Sequence, residues 1–409
     1  MNKKILLGIL MLLTLALTFT SCSDDDDDTS RTAPATVTLQ LPLDLADATL
    51  SDAVVTLTNI QTGIVFTANK VDKTDDGYKT TVEVPVGAYN VNVTGKVTYS
   101  VNNVQTTTDV KATANGFSVQ AGQNVSAQTL ALAIYNSKAG FVISEIYYTG
   151  SLSTTGKAYK FDQYIVITNN SDETLYADSI AILQSAFSTD TKWDYTPALM
   201  DKAMTVHAVY MIPGNGNDHP VAPGKSIVIA PNAKDHHAID LSAIDLSGAD
   251  FEFFDESSSA TNLDEDNKAT NLDKWYSSTK SYFLFNNKGN EAYAIAKMQG
   301  SKDDFLKNNM YTYTYKFVFG DFAKDMSGTG ALVPNAWIID AVNLGMSKDY
   351  AWGVVSSALD KGYTFCATDG KDASRYGTAV IRRQKDGKYV DTNNSTDDFT
   401  AKAAPSLKK

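Results

Sequence analysis

Hydrophobic and polar residues alternate with period two along much of this chain. Val37-Thr38-Leu39-Gln40-Leu41, Val54-Val55-Thr56-Leu57-Thr58, Thr80-Thr81-Val82-Glu83-Val84 and Tyr89-Asn90-Val91-Asn92-Val93 alternate in period two and are rich in β-branched residues. That is the pattern of strands with one face in a core. Turn-forming residues punctuate them at 59–63, 75–77 and 85–87. Beyond residue 140 the strand-like runs continue with Phe141-Val142-Ile143-Ser144-Glu145-Ile146-Tyr147-Tyr148, Tyr164-Ile165-Val166-Ile167-Thr168, Ser226-Ile227-Val228-Ile229-Ala230 and Ser281-Tyr282-Phe283-Leu284-Phe285. Only residues 303–308 have room for a turn or two of helix. The expectation is an all-β protein of two β-sandwich domains, 33–134 and 140–409, a natural division for this length.

The first residues read differently. Lys3 and Lys4 precede an apolar run over residues 5–17, followed by Phe19-Thr20-Ser21-Cys22. The run is shorter than the roughly 20 residues of a membrane-spanning helix, and a basic start with a short apolar stretch marks a secretory leader. With a small residue directly before the cysteine, the segment resembles a lipobox, although Phe19 stands where an aliphatic residue is usual. The resemblance implies a signal peptide over 1–21, removed to leave Cys22 first and acylated, palmitate included. Several acyl chains anchor a protein stably where one does so marginally. Ser23 and then Asp24, Asp25, Asp26, Asp27 and Asp28 follow. Such a block is ordinarily a solvated tether, here over 22–32. A serine and an acidic run directly after the acylated cysteine resemble the surface-export signal of Bacteroidota lipoproteins. The expected location is the outer face of the outer membrane.

Composition narrows the partners. With 43% hydrophobic and 20% charged residues the chain is ordinary globular material. Its formal charge of −12 falls to −14 once Lys3 and Lys4 leave with the leader. No basic stripe offsets that charge, so nucleic acid is excluded as a partner. With Cys22 acylated, Cys366 is the remaining cysteine, which leaves no disulfide framework and reads as a small buried hydrophobe.

Two stretches resemble known families. Leu50-Ser51-Asp52-Ala53-Val54-Val55-Thr56-Leu57-Thr58-Asn59, Gly77-Tyr78 and Val84-Pro85-Val86-Gly87-Ala88-Tyr89 are similar to the transthyretin-like, carboxypeptidase-regulatory sandwich. That resemblance implies a spacer without catalytic residues. Ser144-Glu145-Ile146, the run 163–170, residues 175–180, Val221-Ala222-Pro223-Gly224-Lys225-Ser226-Ile227, residues 337–342 and Ala379-Val380-Ile381-Arg382-Arg383 resemble, in order, the strands of a lamin-tail domain. Long inserts at about 184–220 and 245–280 double its usual length. As a whole the chain resembles an uncharacterised Bacteroidota lipoprotein family with a lamin-tail-like core, which implies binding more than chemistry.

Candidate chemistry is sparse. No nucleophile elbow or paired-histidine protease motif occurs, and Pro223-Gly224-Lys225-Ser226 lacks the first glycine of a phosphate loop because His219 stands there. No motif points to a cofactor. His207, His219, His236 and His237 lie close in sequence; His236 and His237, next to Asp235, are the candidate metal ligands, against the plainer reading of surface-loop histidines. Residues 264–267 offer hard oxygens but lack the glycine and distal glutamate of a calcium loop. Asp178-Ser179-Ile180 resembles the short acceptor of protein O-glycosylation in Bacteroidota, at Ser179.

The aromatics of the inserts carry the functional expectation. Phe187, Trp193 and Tyr195 lie in the first, Trp275 and Tyr276 at the end of the second. Such rings stack on sugars or planar ligands; the alternative is that they pin their loops to the sandwich. Trp193, Tyr195, Trp275 and Tyr276 are the expected contacts for a carbohydrate, haem or peptide ligand. The expected role is non-catalytic binding beside an outer-membrane transporter, in nutrient uptake. A metal-dependent hydrolase and a structural adhesin are the alternatives.

Overall fold

The computed structural model describes residues 31–42, 45, 47–122, 126–135, 140–256, 263–279 and 281–408. Cys22, Ser23 and Asp24 through Asp28 lie outside the described residues. The all-β expectation holds: among the described residues the α-helices are Lys302–Asn309 and the single turn Ser395–Asp398, and strands supply nearly all the rest of the regular structure.

Residues 32–135 form two facing sheets. One runs in the order Asp72–Thr74, Gly77–Pro85, Thr32–Gln40, Ser126–Ala131; the other runs Val65–Ala68, Thr49–Asn59, Gly87–Val101, Val104–Val119, Ala133–Tyr135. The alternating residues do what their period predicts. Val37, Leu39, Val55, Leu57, Tyr89, Val91 and Val93 are buried between the sheets, and the polar residues between them face outward. Each such side chain contributes about 1.5–3 kcal/mol by leaving water. The Tyr89 hydroxyl donates to the Pro85 carbonyl at 2.6 Å, which satisfies its polar end inside the core.

Residues 141–403 form a larger sandwich. Its seven-stranded sheet has the order Thr270–Asn271, Phe251–Glu252, Ser226–Ala230, Tyr164–Asn169, Phe141–Tyr147, Ala379–Arg382, Phe399–Ala403. The facing sheet runs Met310–Phe319, Phe322–Pro334, Ala203–Met211, Ile180–Ser188, Glu291–Lys297, Ile338–Met346, Thr364–Ala367, with Asp273–Ser277 also paired to Ala203–Met211. Ile143, Ile165, Ile167, Ile229 and Val380 of the first sheet meet Ile182, Tyr210, Tyr293, Ile295 and Val342 of the second in one core. The stretch 184–220 is therefore not simply an insert, because Ala203–Met211 is an interior strand of the second sheet.

A buried ion network ties these sheets together. Arg382, on one, pairs with Asp340 on the other and reaches Asp391 at 3.3 Å and Asp398 at 3.5 Å. It also donates to the carbonyls of Ile143 at 2.8 Å and Val390 at 3.1 Å. Asp340 accepts the Ile143 amide at 2.7 Å. Burial raises the Asp340 carboxyl to about 6, against the lowering pull of the guanidinium.

The two sandwiches meet. Tyr99 hydrogen-bonds the backbone of Ala336, and a cleft of about 630 Å³ between them is lined by Tyr99, Leu132, Ala336, Ile338 and Leu359 among others. One buried apolar cluster runs from the first sandwich to the outer face of the second sheet. That outer face positions the site.

Candidate binding cleft

The outer face is built from small side chains. In Glu291–Lys297, Tyr293 and Ile295 enter the sandwich core while Ala292, Ala294 and Ala296 face the other way; Ala181 and Ala341 extend the same surface. Alternation with alanine leaves a shallow floor on which large rings can lie flat.

Residues 189–200 fold over one end of this floor. The Thr189 hydroxyl donates to the Leu344 carbonyl at 2.7 Å, and the Thr189 carbonyl accepts the amides of Ala351 at 2.8 Å and Trp352 at 3.2 Å. The indole N–H of Trp352 donates to the carbonyls of Ser188 at 2.9 Å and Thr191 at 3.1 Å. Farther on, Thr196 and Thr314 exchange two backbone hydrogen bonds of 2.9 Å. The segment is thereby fastened to the edge of the hairpin formed by Met310–Phe319 and Phe322–Pro334.

That hairpin supplies a row of rings. Tyr311, Tyr313, Tyr315 and Phe317 occupy alternate positions and so share one face. The strand opposite makes room with glycine: a Cβ on Gly328 would stand 2.5 Å from the Tyr313 ring. Tyr195 stacks on Phe187 at 3.7 Å and 15° and lies 6.0 Å from Trp352, nearly parallel. Tyr313 meets Phe187 and Tyr195 edge-on at 5.0 and 5.6 Å. Outward of these, Tyr315 is 5.3 Å from Tyr195, and Trp193 is 5.9 Å from Tyr315 and 5.4 Å from Phe317.

Between the loop and the hairpin lies a cavity of about 330 Å³, lined by Phe187, Trp193, Tyr195, Tyr311, Trp352 and aliphatic neighbours. Lys192 and Asp194 are its charged residues and both are exposed; the Lys192 ammonium sits 5.9 Å from the Trp352 ring centre. A second hollow of about 390 Å³ shares Asp194 and adds Thr196, Thr314, Tyr315, Lys316 and Asp325. Burial raises the phenol of Tyr311 to about 12 and those of Tyr195 and Tyr313 above their usual value, with neighbouring phenols adding to the effect. At neutral pH these hydroxyls are uncharged. The cleft thus offers half-buried ring faces and neutral hydroxyls, with Lys192 and Asp194 at its exposed margin, a surface suited to holding a ligand.

The expected contacts divide. Trp193 and Tyr195 belong to the cleft. Trp275 does not: it is 6% exposed, packs on Phe305 at 5.7 Å and sits in the strand Asp273–Ser277. Its ring is core, which corrects the expectation of a ligand contact. Tyr276, half-buried on the same strand, packs against the apolar cluster and pairs in register with Val209; it does not line the cavity. Trp352, Tyr313 and Tyr315 are the residues that sequence reasoning missed. The alternation of tyrosines at 311–315 signalled Tyr313 and Tyr315, whereas Trp352 carried no such local signal.

The metal expectation fails on geometry. His236 is fully buried; its Nε2 lies 3.0 Å from the Asn232 carbonyl and its Nδ1 2.7 Å from the Tyr159 hydroxyl, so both ring nitrogens are engaged. Burial lowers its pKa from the usual 6.5. His237 lies at the surface beside Asp235. Among the described residues no three His, Cys, Asp or Glu side chains gather as a metal site. His207 is on an interior strand, and His219 packs edge-on against Phe251 at 5.0 Å. Ser179 lies half-buried in a turn, with φ of 65°. Its neighbour Asp178 has a structural task, accepting the amides of Gly216, Asp218 and His219 at 3.1, 2.9 and 3.0 Å.

Comparison with known proteins adds a family to this geometry. Residues 222–406 match the family described as "Protein of unknown function (DUF4876)". The match begins at the turn before Ser226–Ala230 and takes in the hairpin and Trp352, but not Trp193 or Tyr195. The crystal structure of a DUF4876 family protein from Bacteroides thetaiotaomicron VPI-5482 is similar over 92% of this chain and 96% of that one, with a TM-score of 0.54 and 22% identity. That likeness establishes a shared fold. No curated protein matches the chain.

Proposed function

We propose that this chain is a lipid-anchored binding protein of the outer-membrane surface, a non-catalytic accessory to nutrient uptake. Its cleft takes a neutral ligand with flat apolar faces and hydroxyl edges, a carbohydrate chain. The observation that carries the reading is the convergence of Trp193, Tyr195 and Trp352 on one cavity of about 330 Å³, with Tyr315 continuing the ring surface outward. Sugar rings present C–H faces to aromatic rings and hydroxyls to phenols, and pockets of this kind combine a mainly apolar lining with a few polar groups. The leader ending at Cys22 supports the anchor, and the acidic run Asp24 through Asp28 supports surface display. The sequence resemblance to a lamin-tail domain supports binding over catalysis.

Calorimetric titration with oligosaccharide, haem and peptide pools tests the cleft. Oligosaccharide is expected to bind, and Trp193→Ala to weaken it about thirtyfold, the loss of an anchor worth about 2 kcal/mol. Capture of haem or peptide alone, or binding indifferent to both Trp193→Ala and Tyr195→Ala, would overturn the assignment. Protease shaving of intact cells tests display. Replacing residues 24–28 by alanine is expected to remove accessibility while leaving the lipid in place.

A further inference from the structure

The first sandwich ends, away from the second, in an apolar turn. Thr49–Asn59 and Val65–Ala68 are joined there, and Ile60, Ile64 and Val65 are 51%, 55% and 54% exposed. The turn is firmly built. Asn59 is buried, and its side-chain oxygen accepts the amides of Gln61 at 3.0 Å and Thr62 at 2.9 Å. Its carbonyl accepts the Gly63 amide at 2.9 Å, and Gly63 takes the left-handed φ of 70° that closes the turn. Large aliphatic side chains held out by a rigid turn lose nothing to collapse; they remain in water until something covers them.

The same end is where the chain enters. The Val86 amide donates to the Arg31 carbonyl at 2.9 Å, and the Ile60 amide to the Ala88 carbonyl at 2.9 Å, so Arg31 and the apolar turn flank one short connection. Register agrees: Thr32 pairs with Pro85, and Asn59 with Tyr89. The opposite end of this sandwich faces the second, through Tyr99 and Leu132. Residues 53–69 carry no Asp, Glu, Lys or Arg, in a chain whose charge is −12. An uncharged apolar tip on an acidic protein is suited to a lipid surface, since no fixed charge has to be desolvated there.

We infer that the turn bearing Ile60, Ile64 and Val65 rests in the interface of the bilayer that holds the lipid anchor. The inference rests on the anchoring reading above. Nine residue steps lead from Cys22 to Arg31, a reach of at most about 30 Å, so an acylated Cys22 keeps this end of the sandwich at the membrane. The contact fixes the orientation of the molecule. The first sandwich stands on the bilayer and the second is raised above it, with the aromatic hairpin farther out. Along Phe322–Pro334 the hairpin tip lies 12 residues from the Pro334 end, about 40 Å of strand.

The full lipidated chain, floated with vesicles of phosphatidylethanolamine and phosphatidylglycerol, tests this. Cys366 is buried, so Ile64→Cys carries a polarity-sensitive fluorophore selectively, and Phe319→Cys, at the 77% exposed tip of the hairpin, serves as the comparison. The expected result is a severalfold rise in emission at position 64 on vesicles, with position 319 unchanged. A protein that floats while position 64 stays in water overturns the contact and leaves the anchor standing. Emission that rises at 319 instead of 64 overturns the orientation. A chain that does not float, and carries no lipid by mass spectrometry, removes the anchor and the contact together.

Discussion

Trp275→Ala, set beside Trp193→Ala, separates a core ring from a ring of the proposed binding cleft. Trp275 is 6% exposed, lies 5.7 Å from Phe305, and sits on a strand whose neighbours Lys274 and Tyr276 pair with Tyr210 and Val209. Removing a buried tryptophan forfeits its transfer free energy and leaves a cavity, together about 3–5 kcal/mol. In a unit of this size about 1 kcal/mol lowers the melting temperature by roughly 2 °C, so a fall on the order of 6–10 °C is expected. Trp193→Ala is the counterpart. It loses ring contacts to Tyr315 and Phe317, each worth about 0.5–1.5 kcal/mol, and the loop stays fastened by Trp352 and Thr196. Its melting temperature is expected to fall by about 2–6 °C, less than that of Trp275→Ala, while ligand capture falls about thirtyfold. Differential scanning calorimetry of both variants, with titration of ligand, reads the two effects separately. If Trp275→Ala melted with the parent and lost capture, the ring would be at the surface and the division of the aromatics made above would be wrong.

Three further variants probe other parts of the argument. Arg382→Met leaves Asp340 and Asp398 buried without their cation and is expected to cost about 3–5 kcal/mol by denaturant unfolding; a loss below 1 kcal/mol would show that the network is solvated. Gly328→Ala puts a methyl 2.5 Å from the Tyr313 ring, so it should displace that ring, weaken capture and alter near-ultraviolet circular dichroism with little change in strand content; unchanged capture would show that Tyr313 does not shape the cleft. The folded-state pKa of His236 is depressed below 6.5 by burial, so its contribution to stability is complete above that value and lost as pH falls. Asp264, raised to about 6 by burial, acts oppositely: the folded chain keeps a proton the unfolded chain has lost, so stability from this group falls as pH rises from about 4 to about 6. The melting temperature of His236→Gln relative to the parent should therefore rise on going from pH 7.5 to pH 5, whereas a constant difference would place His236 in water.

Strands were legible where local chemistry and tertiary role agree. Val37-Thr38-Leu39 and Tyr89-Asn90-Val91 each have one face in the core, and a period of two says so directly. Ala203–Met211 was misread as part of an insert, since its neighbours in sequence are polar loops and its own pattern is nearly all buried. A strand covered on both faces keeps no alternation to read. Trp275 misled for a related reason. Asp273-Lys274 before it and Ser277-Ser278 after it look like a loop, and only pairing with Ala203–Met211 turns the tryptophan inward. Trp193 and Tyr195 could be found because aromatics in a polar stretch stand out. Trp352 could not, because its connection to the site runs through two hydrogen bonds spanning more than 160 residues.

The cleft follows from a compositional choice on a single sheet face. Alanine at 292, 294 and 296 stabilises a strand poorly, and on a solvent face it would gain little by burial. Here the small side chains are buried in the same apolar cluster as Phe187, Val354 and Val355, against which Tyr195, Leu199 and Trp352 pack, with the glycine-bearing hairpin at the side. The same arrangement explains why the rings are fastened and yet half-exposed. Trp352 spends its N–H on the backbone carbonyls of Ser188 and Thr191, which orders the loop, and keeps a ring face on the cavity. Pinning a loop and contacting a ligand are therefore compatible tasks for one residue, and ordering the loop in advance lowers the entropy that binding would otherwise cost. Trp352→Phe tests that coupling, since it keeps most of the ring surface and removes both hydrogen bonds. If preorganisation matters, ligand capture falls with a less favourable binding entropy and the 188–195 amides exchange hydrogen faster. If the ring face alone matters, affinity and exchange both stay at the parent values.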